Sequence, residues 1–145
     1  MISGGGIMTS LSDVQIIKLP KIPDNRGNLS FIESQTHIPL VMKRIYWIYD
    51  VPGGEIRGSH AFRKQSEFIV ALSGSFDVVL NDGKNENKYS LNRSYSGLFV
   101  PPMIWRNIEN FSTNSLCMIL SSEYFDENDY IRDYELFISE KGYSK

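Results

Sequence analysis

RGSHAFRKQSEFIVALSGSFDVVLNDG, residues 57–83, holds two apolar runs of strand length, Glu67 to Leu72 and Phe76 to Leu80. Each run ends at a residue that tolerates positive φ, and hairpins are expected at Gly74 and at Asp82-Gly83. Ahead of and within the first run stand Arg57, His60 and Glu67. A guanidinium, an imidazole and a carboxylate this close to a buried strand are where chemistry is expected.

Outward from this window the pattern repeats. Short runs rich in Val, Ile, Tyr and Phe occur at Val14 to Leu19, Leu29 to Glu33, Lys43 to Tyr49, Leu98 to Val100 and Leu116 to Leu120. Between them lie Asp24-Asn25-Arg26-Gly27, Val51-Pro52-Gly53-Gly54 and Pro101-Pro102, residues that fix φ or accept positive φ. Such spacing predicts an all-β sandwich or barrel. Helical spacing is confined to the end, where Tyr130, Tyr134, Phe137 and Ile138 share one face, so one or two short C-terminal helices are expected. Residues 1–12, with Gly4-Gly5-Gly6, read as a flexible leader, and 13–145 as one domain.

The chain has 145 residues, 41% hydrophobic and 12% aromatic, enough for one core. Its net charge is -2 and its Lys and Arg are dispersed, which gives no support to binding of long nucleic acid. No stretch has membrane-spanning length and the start lacks signal-peptide features, so a cytoplasmic protein is expected. Cys117 is the single cysteine and lies in an apolar run, which predicts a packing role.

The window resembles the first cupin motif: His60, Phe62, Glu67 and Gly74 stand where that motif has histidine, histidine, glutamate and glycine. Arg106 and Asn110, in RNIEN, resemble the end of the second motif, with arginine for its histidine. The resemblance implies a cupin jelly-roll barrel. Phenylalanine donates no lone pair and a guanidinium repels a divalent cation, so no metal is expected. A cationic Arg106 suits an anion, such as a diphosphate or an enediolate oxygen.

With the flanks included, the likeness becomes narrower. Arg26-Gly27, Lys43-Arg44-Ile45-Tyr46, Arg57-Gly58-x-His60-Ala61, Leu72-x-Gly74-Ser75, Asp82-Gly83, Gly97-Leu98, Pro102, Trp105 and the segment from Tyr124 to Arg132 together resemble the dTDP-sugar 3,4-ketoisomerase family. The likeness implies a metal-free and cofactor-free isomerase acting on a nucleotide-linked sugar. The keto group of a dTDP-4-keto-6-deoxyhexose would move to C3 through an enediol. It also implies a homodimer that exchanges N-terminal strands, with the segment Val14 to Leu19 pairing across subunits.

The family pattern R-G-x-H-A-H-K has Phe62 here in place of its second histidine, the residue usually assigned as base. The family's usual glutamine is Glu67. His60 and Glu67 are therefore the catalytic candidates, and Arg26, Arg44, Tyr46, Arg57 and Arg106 the substrate-binding ones. Glu67 has an equal alternative as the structural partner of Arg57 or Arg106. His37 reads as surface, and Trp105 and Tyr130 as packing. Two functions stand open: the isomerase, or a nucleotide-sugar-binding cupin that has lost catalysis and serves as sensor, carrier or partner protein.

Overall fold

Strands buried on both faces lose the usual alternation, and Glu67–Ser73 is such a strand, with its first five residues buried. In the computed structural model, which describes residues 9–143, it lies at the centre of a five-stranded antiparallel sheet. In chain order the strands are β1 Gln15–Lys18, β2 Lys21–Ile22, β3 Leu29–Ser30, β4 Arg44–Tyr49, β5 Arg57–Phe62 and β6 Glu67–Ser73. They continue as β7 Phe76–Asn81, β8 Glu86–Leu91, β9 Ser96–Val100, β10 Trp105–Glu109, β11 Leu116–Ser121 and β12 Tyr130–Ile131. One sheet runs β1-β9-β6-β11-β4 and faces a second, β12-β5-β10-β7-β8, while β2 and β3 form a small hairpin. This is the expected jelly-roll sandwich. The expected C-terminal helices are a 3₁₀ turn, Glu127–Asp129, and α1, Tyr134–Glu140, which Asp133 caps by accepting from the Glu135 N–H.

The main core lies between the sheets, where Ile69, Ala71, Phe76, Val78, Leu80, Leu98, Val100, Ile108, Cys117 and Ile119 are all almost wholly buried. A second cluster, on the outer face of β6, joins Phe68, Val70, Phe99 and Leu120 to Leu19, Ile38 and Leu40 from the long connection before β4. That cover is why β6 is apolar on both faces. A third cluster seats Phe137 of α1 on Ala61, Met103, Trp105 and Ile131.

One expectation changes. Gly74 does not close a hairpin, because β6 and β7 belong to different sheets; the chain turns a corner there at φ +68, with Ser112 and Ser115 so near that a Cβ would clash. Turn chemistry is the same whether a strand returns beside its predecessor or crosses to the facing sheet. Asp82-Gly83 does close the β7–β8 hairpin. In the single chain β1 pairs with β9, Gln15 opposite Phe99.

Met1 to Met8 of the expected leader lie outside the described residues. The body starts earlier than residue 13: Thr9 Oγ1 donates to the Pro102 carbonyl, Lys141 Nζ to the Thr9 carbonyl, and the Leu11 N–H to Asp82. No helix among the described residues is long and apolar enough to cross a membrane.

Candidate functional site

Arg57 and His60 are three apart, so a regular β5 would send them to opposite faces. The ladder with β10 prevents this: Arg106 is opposite His60 and Ile108 opposite Arg57, which leaves one extra residue in β5. Gly58 and Ser59 take positive φ values, 100 and 21, to absorb it. Such a bulge re-aims side chains, and here Arg57 and His60 both come to line one cavity between the sheets, of about 370 Å³. Tyr46 and Ile48 of β4, Arg106 and Ile108 of β10, Ile119 of β11, Tyr130 of β12 and Arg132 line it as well.

Beneath the cavity lies a buried polar chain. Glu67 is fully buried and forms an ion pair with Arg106, whose side chain is 3% exposed. Tyr46 Oη and Gln65 Nε2 both donate to the second oxygen of Glu67. Arg44 Nη2 donates to Gln65 Oε1 at 2.9 Å, and its guanidinium stacks 4.8 Å from the Tyr46 ring. Burial opposes the charge on Arg106, but Glu67, with Tyr46 and Tyr130, offsets it and holds the guanidinium above its ordinary value. Burial and then Glu67 push the Tyr46 phenol well above its ordinary value. Burial of an ion pair at this depth is tolerated only with its remaining lone pairs filled, and here Tyr46 and Gln65 fill them.

His60 has the opposite character. Burial, then the cationic Arg106 and Arg132, pull its imidazole down to about 2. It is neutral across the physiological range, and its buried Nδ1 has no partner within the chain. The Phe62 ring packs edge-on at 4.8 Å from His60 and lies 4.7 Å below the Arg106 guanidinium. Arg106 Nε is also without a partner. A neutral imidazole and a fixed cation thus stand side by side in the lining of one cavity, which is the equipment for proton abstraction beside a polarised carbonyl.

The candidates divide accordingly. His60, Arg57, Arg106 and Tyr46 meet at the cavity; Glu67 lies behind Arg106 and does not line it; Arg44 braces Gln65 from below. Arg26 is elsewhere, on the exposed β2–β3 turn, where it pairs with Asp24 at 2.8 Å. Gln65, Tyr130 and Arg132 were not singled out as site residues in the sequence, although Tyr130 and Arg132 stand in the family-like segment. Among the described residues no three His, Cys, Asp or Glu side chains gather as a metal site would require.

Residues 12–142 match the family described as FdtA: WxcM-like, C-terminal. The chain belongs to that family. It is 42% identical over 123 residues to the TDP-4-oxo-6-deoxy-alpha-D-glucose-3,4-oxoisomerase of Aneurinibacillus thermoaerophilus, covering 85% of this chain and 88% of that protein. The crystal structure of QdtA, a sugar 3,4-ketoisomerase from Thermoanaerobacterium thermosaccharolyticum in complex with TDP, superposes with a TM-score of 0.89. The two chains are 35% identical, with 92% of this one and 97% of that one covered. QdtA has also been solved with a histidine replaced by asparagine, bound to TDP-4-keto-6-deoxyglucose, and with a tyrosine and an arginine replaced by arginine and histidine, bound to TDP. WlaRB, the TDP-quinovose 3,4-ketoisomerase of Campylobacter jejuni, is 38% identical with a TM-score of 0.84, over 88% of this chain and 98% of that one.

Proposed function

We propose that this protein is a metal-independent isomerase that moves the keto group of a dTDP-4-keto-6-deoxyhexose between C4 and C3, using His60 as the base. The observation that carries the reading is the neutral imidazole of His60 standing beside its cross-strand neighbour Arg106 in the lining of a cavity of ligand size. The three positions replaced in the QdtA variants are spaced along their chain as Arg26, His60 and Arg106 are along this one. By that spacing the histidine replaced there corresponds to His60 and not to Phe62, which supports His60 as the base despite the missing second imidazole.

His60 takes the C3 proton, exchanges it with solvent and delivers a proton to C4. Arg106, held by Glu67, faces the C4 oxygen and steadies the negative charge that develops there. Arg57 and Arg132, at the same cavity, take the diphosphate, for which paired guanidinium forks are suited. Glu67 does not act as the base, because all its contacts are spent on Arg106, Tyr46 and Gln65. The reaction needs no cofactor, and a nucleotide-linked substrate belongs to the cytoplasm. Incubated with dTDP-4-keto-6-deoxyglucose in deuterium oxide, the protein is expected to give the 3-keto isomer with solvent deuterium at C4. Binding of dTDP with neither product nor deuterium incorporation would overturn the assignment.

We also propose a homodimer. Edge strand β4 leaves Ile45, Trp47 and Tyr49 about half exposed in a row on its outer face, beside Leu72. An apolar edge of this kind is a pairing surface unless covered. Light scattering is expected to give twice the chain mass at micromolar concentration, and Ile45→Arg to give the monomer; a monomeric wild type would refute the dimer.

A further inference from the structure

We infer that Tyr130 is a second catalytic group, whose phenol carries the hydroxyl proton between the C4 and C3 oxygens while His60 carries the carbon-bound one. The inference rests on the proposed isomerisation. A keto shift between neighbouring carbons moves two protons, one from C3 to C4 and one from the C3 hydroxyl to the C4 oxygen. His60 accounts only for the first.

The protons and electrons balance with one phenol. As His60 breaks the C3–H bond, the electron pair forms the C3–C4 double bond and the C4 carbonyl electrons take the Tyr130 proton, giving the neutral enediol, a tyrosinate and an imidazolium. The tyrosinate then takes the proton of the C3 hydroxyl, the C3 carbonyl forms, and the double-bond electrons take the proton of His60 at C4. Both side chains end as they began.

Two residues lining the cavity carry a hydroxyl, Tyr46 and Tyr130. Tyr46 is committed: its O–H donates to Glu67, and burial with the adjacent carboxylate holds the phenol protonated. Arginine does not release a proton in this range, so Arg57, Arg106 and Arg132 cannot relay one. Tyr130 is the cross-strand partner of Phe62, the residue that stands where the family pattern has an imidazole. Its ring packs edge-on to His60 at 5.0 Å and to Phe62 at 4.5 Å. The Arg132 guanidinium lies 4.2 Å over the same ring. The phenol acts electrostatically on Arg106, Tyr46 and Arg132, which sets it among the charges around the cavity. Phe62 removed one proton carrier, and its neighbour on the next strand supplies the other.

Tyr130→Phe keeps the ring and its packing and removes only the hydroxyl. Turnover of dTDP-4-keto-6-deoxyglucose is expected to fall about 100-fold, the usual size of a general acid–base contribution. Affinity for dTDP is expected to stay within about twofold. Exchange of the C3 proton with solvent deuterium should fall much less than product formation, because His60 and Arg106 still form the enediolate. Turnover within about threefold of wild type overturns the relay, as does a parallel loss of dTDP binding, exchange and turnover, which would mark a packing role. A wild type that binds dTDP and isomerises no keto-sugar defeats the proposed function itself and is distinguishable from either.

Discussion

His60→Asn is expected to lower turnover of a dTDP-4-keto-6-deoxyhexose by about 1,000-fold, within the range for loss of a general base. Affinity for dTDP should change little, since asparagine is polar, smaller and uncharged. The pH behaviour follows from the same residue. Its imidazole is held at about 2, against 6.5 for the free side chain, by burial and then by Arg106 and Arg132. The base form is therefore fully populated above 6.5, and kcat/KM is expected to show no acid limb from His60 at or above that value. For stability the sign is fixed by proton uptake: below pH 6.5 the unfolded chain binds a proton at His60 that the folded chain refuses. Stability is then complete above 6.5 and declines as pH falls through the window toward 2, by at most about 1.4 kcal/mol per pH unit. Denaturant midpoints at pH 7 and pH 5 should differ more for wild type than for His60→Asn. Equal sensitivity in the two proteins would place the acid response elsewhere, and undiminished turnover by His60→Asn would end its assignment as base.

Most of this architecture was open to a reader of the sequence, because the residues that shape it have few alternatives. The spacing of His60, Glu67 and Gly74 and the double-sided apolarity of Glu67 to Leu72 mark a central barrel strand. The convergence of Arg57, His60 and Arg106 could be inferred from the family resemblance alone. What makes it physically possible, the extra residue at Gly58-Ser59, leaves no hydrophobic signature. β8 escaped notice for a related reason: Glu86–Leu91 is an edge strand whose residues are mostly exposed, so no apolar alternation marks it. Tyr130 fitted a helical stripe with Tyr134 and Phe137, yet the helix begins only at Tyr134 and Tyr130 is held in the short β12 ladder with Phe62. Pairing with a strand nearly seventy residues away overrode the local period. Gln65 gave no signal at all, because its importance lies in the Glu67 and Arg44 contacts that only the folded chain creates.

The pair Glu67 and Arg106 gives the largest expected effect on stability, and separates a structural carboxylate from a catalytic one. Glu67→Ala leaves a guanidinium 3% exposed with its carboxylate gone, and the Tyr46 hydroxyl and Gln65 amide without their acceptor. Removal of one partner of a buried pair costs about 3–5 kcal/mol, a large part of the stability of a domain this size. At about 2–4 °C per kcal/mol, the melting temperature is expected to fall by about 6–20 °C. Glu67→Gln retains an oxygen that can accept from Arg106 or Tyr46, so its loss is smaller. Because His60 is untouched, Glu67→Gln should still exchange the C3 proton of the substrate with solvent. The double variant Glu67→Leu with Arg106→Met removes both charges and fills the space with apolar groups, an exchange that is often neutral for stability. It should melt well above Glu67→Ala and bind dTDP through Arg57 and Arg132, yet show little turnover, because the cation facing the C4 oxygen is gone. If instead Glu67→Gln abolishes exchange while dTDP binding and the melting temperature hold, the carboxylate is the base and Arg106 is merely its counter-ion. The two outcomes differ because an ion pair that orients a guanidinium fails through the fold, whereas a base fails through the proton.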